Sequence, residues 1–164
     1  QPRRSITGVG PVSARVGAVL ARTGPDADAG GDDKVELSSV QFQPPQLVPG
    51  DQVKMTLYFR VLDTIPDDWV VFVHVEDVDG KLDRINVDHR PMGGNYPTTQ
   101  WKKGEMVRDE FGFTVPQGLP IRGVNIYVGL WDPQADRRMK IRNPTQVRND
   151  GSDRLFLGVL PVAQ

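Results

Sequence analysis

The 164-residue chain carries 17 glycines, 14 prolines and no cysteine, and has a formal net charge of -1. Glycine and proline at this density leave little room for long helices. A near-zero charge argues against a basic nucleic-acid binder and an acidic disordered tail, and the absence of cysteine removes disulfides, zinc–thiolate centres, iron–sulfur clusters and cysteine nucleophiles together. No stretch approaches the ~20 consecutive apolar residues a bilayer needs, so any membrane anchor or signal peptide is expected outside this stretch of chain. One domain with an appendage is the expectation from length.

Residues 1–34 read as an N-terminal leader and linker. Ser13 to Arg22 has the pattern of a short helix capped by Ser13, with Val16, Val19 and Leu20 at i, i+3 and i+4. The segment packs weakly on this reading; the alternative is a strap or partner-binding segment. Thr23 to Asp33 is small, polar and turn-forming, as linkers are. From Val35 the pattern changes to strands, and residues 35–164 are predicted to form the folded domain. Val35, Leu37, Val40 and Phe42 alternate with one slip, as a bulge would produce. Val53, Met55, Leu57, Phe59 and Val61 hold every second position, which is the clearest strand signal in the chain. Trp69 to Val75 follows, with Val71, Val73 and Val75 on one face and Val70, Phe72 and His74 on the other. Asp79-Gly80 marks a hairpin turn that returns through Lys81 to Val87. Further strands are predicted at Met106–Val115, Val124–Trp131, Arg138–Arg142 and Leu155–Val162. About eight strands with frequent turns predict an all-β, antiparallel sandwich of jelly-roll or immunoglobulin-like type.

The sequence contains no GxSxG, HExxH, phosphate loop or GxGxxG. Its two histidines, His74 and His89, are expected in a strand and at a strand end, in hydrogen-bonded roles. The run Glu76 to Asp83 superficially resembles a calcium loop, which makes Asp77, Asp79 and Asp83 weak metal candidates. It lacks the alternating Asp pattern and distal Glu of an EF-hand, and the hairpin turn explains Asp79-Gly80 without a metal. No cofactor is otherwise expected. Glu105 and Asp109, four residues apart on a strand, would stand roughly 13 Å apart, too far for a glycosidase pair acting across one bond.

The long segment Asp88 to Asp109 holds Asn95, Tyr96, Gln100, Trp101 and Glu105 among glycines and prolines. Loops of this length in compact domains are usually functional or disordered, and two large aromatics argue against disorder. Rings beside carboxylates and amides suit a sugar site. The competing reading makes Trp101 a plug in the open end of the sandwich, with Asp88, Thr98 and Asp109 tying the loop down. Tyr127 reads as core packing, whereas Trp131 could sit in the core or on the rim. The candidate ligand-binding residues are therefore Asp88, Asn95, Tyr96, Trp101, Glu105, Asp109 and Trp131.

Several short motifs in order carry a resemblance. They are Val71-Phe72-Val73-His74-Val75, Asp88-His89-Arg90-Pro91, Gly94-Asn95-Tyr96-Pro97-Thr98-Thr99-Gln100-Trp101, Gly104-Glu105, and Tyr127-Val128-Gly129-Leu130-Trp131-Asp132. Over about Val35 to Arg142 the chain resembles the extracytoplasmic β-sandwich module appended to some bacterial polytopic glycosyltransferases similar to the protein mannosyltransferases. Gly93-Gly94 and Trp131 depart from that pattern. The resemblance implies a non-catalytic periplasmic or cell-surface module in a carbohydrate context. The expected function is thus an extracytoplasmic binding or assembly module for a glycan or a cell-envelope partner, with the loop Asp88 to Gly104 as contact surface. The alternatives are a protein-recognition module using the leader or an edge strand, and an enzyme acting on a polysaccharide.

Overall fold

The computed structural model describes residues 12–22 and 32–163. Ten strands form two antiparallel sheets packed face to face, so the chain is the β-sandwich that the alternating pattern predicts. The first sheet contains β1 (Val12–Ala21), β2 (Asp33–Gln43), β3 (Gln52–Val61), β6 (Met106–Thr114) and β9 (Lys140–Ile141), in the order β6-β3-β2-β1-β9. The second contains β4 (Val70–Asp77), β5 (Ile85–Asn86), β7 (Gly123–Asp132) and β10 (Leu155–Pro161), in the order β10-β7-β4-β5, with β8 (Arg137–Arg138) also paired to β7.

The core lies between the two inner faces. Leu37, Val40, Met55, Leu57 and Phe59 of the first sheet meet Val71, Val73, Val75, Ile126, Val128 and Leu130 of the second, and all are buried. The slip in β2 is a true irregularity: pairing with β3 shifts register between Leu37 and Ser39. That one-residue step lets Val35 and Leu37, then Val40 and Phe42, all point inward.

The helix expected at Ser13–Arg22 is instead strand β1, hydrogen-bonded to β2 on one side and to β9 on the other. The inward set is Val16, Ala18 and Leu20, with Gly17 at φ +67° in a bulge between Arg15 and Ala18. Counting Val19 and leaving out the fully buried Ala18 makes the pattern look helical. Pairing with a neighbouring strand then overrides a weak local preference. Residues 12–21 therefore belong to the sandwich rather than to a leader. The remainder of the predicted leader, 1–11, and the linker residues 23–31 lie outside the described residues.

Two other strands are shorter than predicted. Only Ile85 and Asn86 of the return segment pair as a strand with β4. The predicted strand Arg138–Arg142 is divided: β8 joins the second sheet and β9 the first, with the buried Met139 between them.

Candidate functional site

The long loop folds inward. Its two short 3-10 turns, Pro91–Gly94 and Thr98–Gln100, deliver Trp101 into the end of the core at 2% exposure. There the indole lies 5.5 Å from the Phe59 ring, and its N–H donates to the Tyr96 carbonyl at 2.9 Å. The Tyr96 hydroxyl donates to Glu105 at 2.5 Å, and Glu105 also accepts from the Lys102 backbone N–H. Thr98 is fully buried, accepting from the Trp69 N–H and donating to the Asp67 carbonyl. The plug reading of Trp101 therefore describes this loop better than the contact-surface reading. Of the candidates here, Asn95 is exposed and alone at the tip, while Tyr96 and Glu105 serve each other.

Asp109 is also withdrawn from solvent. It has no exposed surface and accepts from His89 Nε2 at 2.6 Å and from the Met92 N–H at 2.9 Å. The other His89 nitrogen, Nδ1, lies 2.8 Å from the Val87 carbonyl, which can only accept. Burial opposes a charge on this ring, but the Asp109 hydrogen bond and charge, followed by the Val87 carbonyl, raise its pKa above the usual histidine value. An imidazolium clamped between a carbonyl and a carboxylate fixes the loop to β6 and has no nitrogen left to act as a base.

The predicted metal candidates are likewise used by the hairpin. Asp77 accepts from the backbone N–H groups of Asp79 and Lys81, and Asp79 holds Arg122 through both oxygens. Gly80 at φ +66° closes the turn, while Asp83 stands exposed. Among the described residues, no three metal-ligating side chains come together.

A different surface gathers chemistry. The face of the second sheet turned away from the core carries Phe72 and His74 on β4 and Tyr127, Gly129 and Trp131 on β7. A Cβ on Gly129 would meet the Phe72 ring at 2.3 Å, so the glycine makes room for that ring to lie flat across its neighbour strand. Arg138 stands over Phe72 at 5.0 Å, and Arg154 over Tyr127 at 3.9 Å. Beside these stacks runs an open groove of about 740 Å³. Phe72, His74 and Trp131 line it together with Asp88, Asp136, Arg137, Arg138, Lys140 and the turn Gly151–Asp153.

The groove walls are tied to each other. Arg138 donates to the Ser152 carbonyl at 3.0 Å, and Lys140 pairs with Asp153 at 3.0 Å. Trp131 is half-buried, with its indole N–H donating to Asp136 at 3.2 Å. Asp88 accepts from the Val73 N–H, replacing a ladder partner where β5 ends. Asp136 and Asp153 have left-handed backbones, at φ +49° and +63°. Such conformations are held against a local cost and cluster at binding sites. Of the seven candidates from sequence, the fold brings only Asp88 and Trp131 to this groove. Phe72, Arg138, Asp136 and Asp153 carry no motif that would have singled them out. The available signal was weaker: aromatic residues repeat on the β4 and β7 face opposite the core valines.

His74 lies under this surface at 5% exposure, its Nδ1 3.2 Å from an Arg154 nitrogen. Burial first, then the Arg84 guanidinium, push its pKa down to about 4, against an opposing pull from Asp88. Arg154 also pairs with Glu76 at 2.7 Å and Asp150 at 2.6 Å. Burial works against the Glu76 charge, but Arg154 and Arg84 win and hold its carboxyl below the usual range. The two histidines thus pull stability in opposite directions. Below about pH 6.5 the unfolded chain protonates His74 and the folded chain resists, so this contribution, on the order of 3 kcal/mol, is lost as pH falls toward 4. The His89 contribution is full below about pH 6.5 and is lost as pH rises through its elevated folded pKa. Denaturant unfolding across pH should therefore give maximal stability near pH 6–7. His74→Gln should flatten the acid limb above the carboxylate range, and His89→Gln the alkaline limb. A profile unchanged by either substitution would contradict this assignment.

No protein-family model matches the sequence, and no curated protein matches it. Among solved structures the fold is similar to the C-terminal domain of wzt, with a TM-score of 0.48 and 16% identity over 95% of this chain and 80% of that one. It is also similar to a Niemann-Pick type C2 protein from Japanese carpenter ant, with a TM-score of 0.39 and 12% identity over 72% of this chain and 79% of that one. Neither supplies a ligand or an activity for this chain.

Proposed function

We propose that this chain is a non-catalytic binding module that holds a glycan in the groove on the outer face of its second sheet. The observation that carries the reading is the composition of that groove. A half-buried indole, Trp131, stands beside three carboxylates, Asp88, Asp136 and Asp153, and three cations, Arg137, Arg138 and Lys140. An indole face suits the apolar side of a pyranose, and fixed carboxylates and guanidinium groups suit its hydroxyls. The lining charges balance, which favours an uncharged sugar over a polyanion. The non-catalytic part is supported by the state of the obvious acid–base groups: Asp109 has no exposed surface, and both His89 nitrogens are occupied. On the motif resemblance we also place the module outside the cytoplasm, in the setting of cell-envelope glycans and their glycosyltransferases.

A glycan array followed by titration calorimetry tests the reading. Trp131→Ala should weaken binding about tenfold or more while leaving the fold intact, because the ring sits at a rim and not in the core. Glycan affinity that is absent from the parent chain, or unchanged in the variant, would overturn it.

A further inference from the structure

Strand β6 is the one long open edge among the described strands. The first sheet's other edge, β9, has two residues, and so does β5 in the second sheet. Strand β10 is covered at both ends, by Asn149 against Leu155 and by Leu47 against Val162, and is interrupted by Gly158 and Pro161. In contrast, β6 pairs with β3 through nine consecutive positions without a shift, and it contains no proline. Natural edges are normally blunted by a bulge, a proline or a cover.

The pairing pattern identifies which backbone groups are open. Val61 N–H donates to the Glu105 carbonyl and Val115 N–H to the Asp51 carbonyl, so odd-numbered residues of β6 face β3. Met106, Arg108, Glu110, Gly112 and Thr114 therefore turn their N–H and C=O groups outward along the edge. Their side chains share the outer face of the sheet, where Lys54 pairs with Glu110 at 3.2 Å and Arg108 also reaches Glu110.

We propose that β6 pairs antiparallel with β6 of a second copy of this chain, about a twofold axis at Asp109. In that register each open residue hydrogen-bonds to another open residue. Arg108 lies opposite Glu110 of the second copy, and Glu110 opposite its Arg108. Met106, an exposed apolar side chain at 54%, lies opposite Gly112. Gly112 sits in a shallow hollow of about 580 Å³ walled by Gln52, Lys54, Phe111 and Thr114. The glycine is required there within one chain, since a Cβ would lie 2.6 Å from the Val53 carbonyl oxygen. Knob and hollow thus coincide with the charge pairs. Neighbouring registers do not offer this: moving the axis to Glu110 or Arg108 sets two like charges opposite each other at the centre. The twofold pairing would join two five-stranded sheets into one. It uses the first sheet and leaves the groove of the second sheet free.

Sedimentation equilibrium on the 164-residue chain tests this. The parent should be dimeric. Glu110→Arg and Arg108→Glu should each weaken the dimer at least about tenfold, because each places like charges together twice. The combined variant, Arg108→Glu with Glu110→Arg, restores opposite charges across the axis and should restore the dimer. Thermal unfolding of each variant confirms that both residues, which are exposed, can be exchanged without loss of fold. A parent that stays monomeric up to its solubility limit overturns the proposal. So does a dimer that is indifferent to the single exchanges or is not rescued by the double one.

Discussion

Trp101→Ala should lower the unfolding free energy by about 3–5 kcal/mol, the range for truncating a large buried ring. At 2% exposure the indole has almost no water to lose, and no flexible neighbour stands ready to fill its place. Its N–H holds the Tyr96 carbonyl, and Tyr96 in turn holds Glu105, so the loop's own hydrogen bonds depend on the ring. Trp101→Phe should lose less, because most of the ring area stays and only the Tyr96 carbonyl loses its partner. Denaturant titration separates the two variants. A loss below about 1 kcal/mol for the alanine variant would mean that the loop closes over the cavity and that the ring is not the plug.

Asp109→Ala should cost a similar amount, about 3–5 kcal/mol, for an electrostatic reason. The carboxylate has no exposed surface and is the partner of a histidine that is itself mostly covered. Removing it leaves His89 either charged and uncompensated or neutral with one ring nitrogen unserved. The Met92 N–H loses its acceptor as well. In an NMR titration His89 should then deprotonate at lower pH than in the parent, because the largest influence holding its pKa up is gone. Asp109→Asn should retain part of the stability, since the amide oxygen can still accept. A parent-like His89 titration in the alanine variant would show that the clamp is not electrostatic.

The architecture was legible where a strand alternates strongly between two environments. β3 and β7 were recognisable because one face meets the core and the other does not, so period two is written in their residue types. β1 was hidden because its buried positions are filled partly by alanine, which carries almost no hydrophobic signal. The short strands β8 and β9 could not be separated from sequence, since pairing to different sheets is decided by their neighbours and not by Arg138 or Lys140 themselves.

The site was less legible for a related reason. Motif density pointed to the segment 88–109, but dense conserved-looking chemistry there serves to fasten a loop. Asp88 and Trp131 reached the groove because both stand at strand ends next to it. Their companions Asp136, Ser152 and Asp153 come from two turns distant in sequence, and only the sheet pairing brings those turns side by side.

Met139 gives the groove a mechanical property. This single buried residue separates Arg138, which is anchored to one layer of the sandwich, from Lys140, which is anchored to the other. Both cations grip the same turn, through Ser152 and Asp153. Sliding one layer over the other would therefore spread this grip, and any ligand spanning the two cations would act as a rivet through both layers. Occupancy and resistance to shear are geared together at that point.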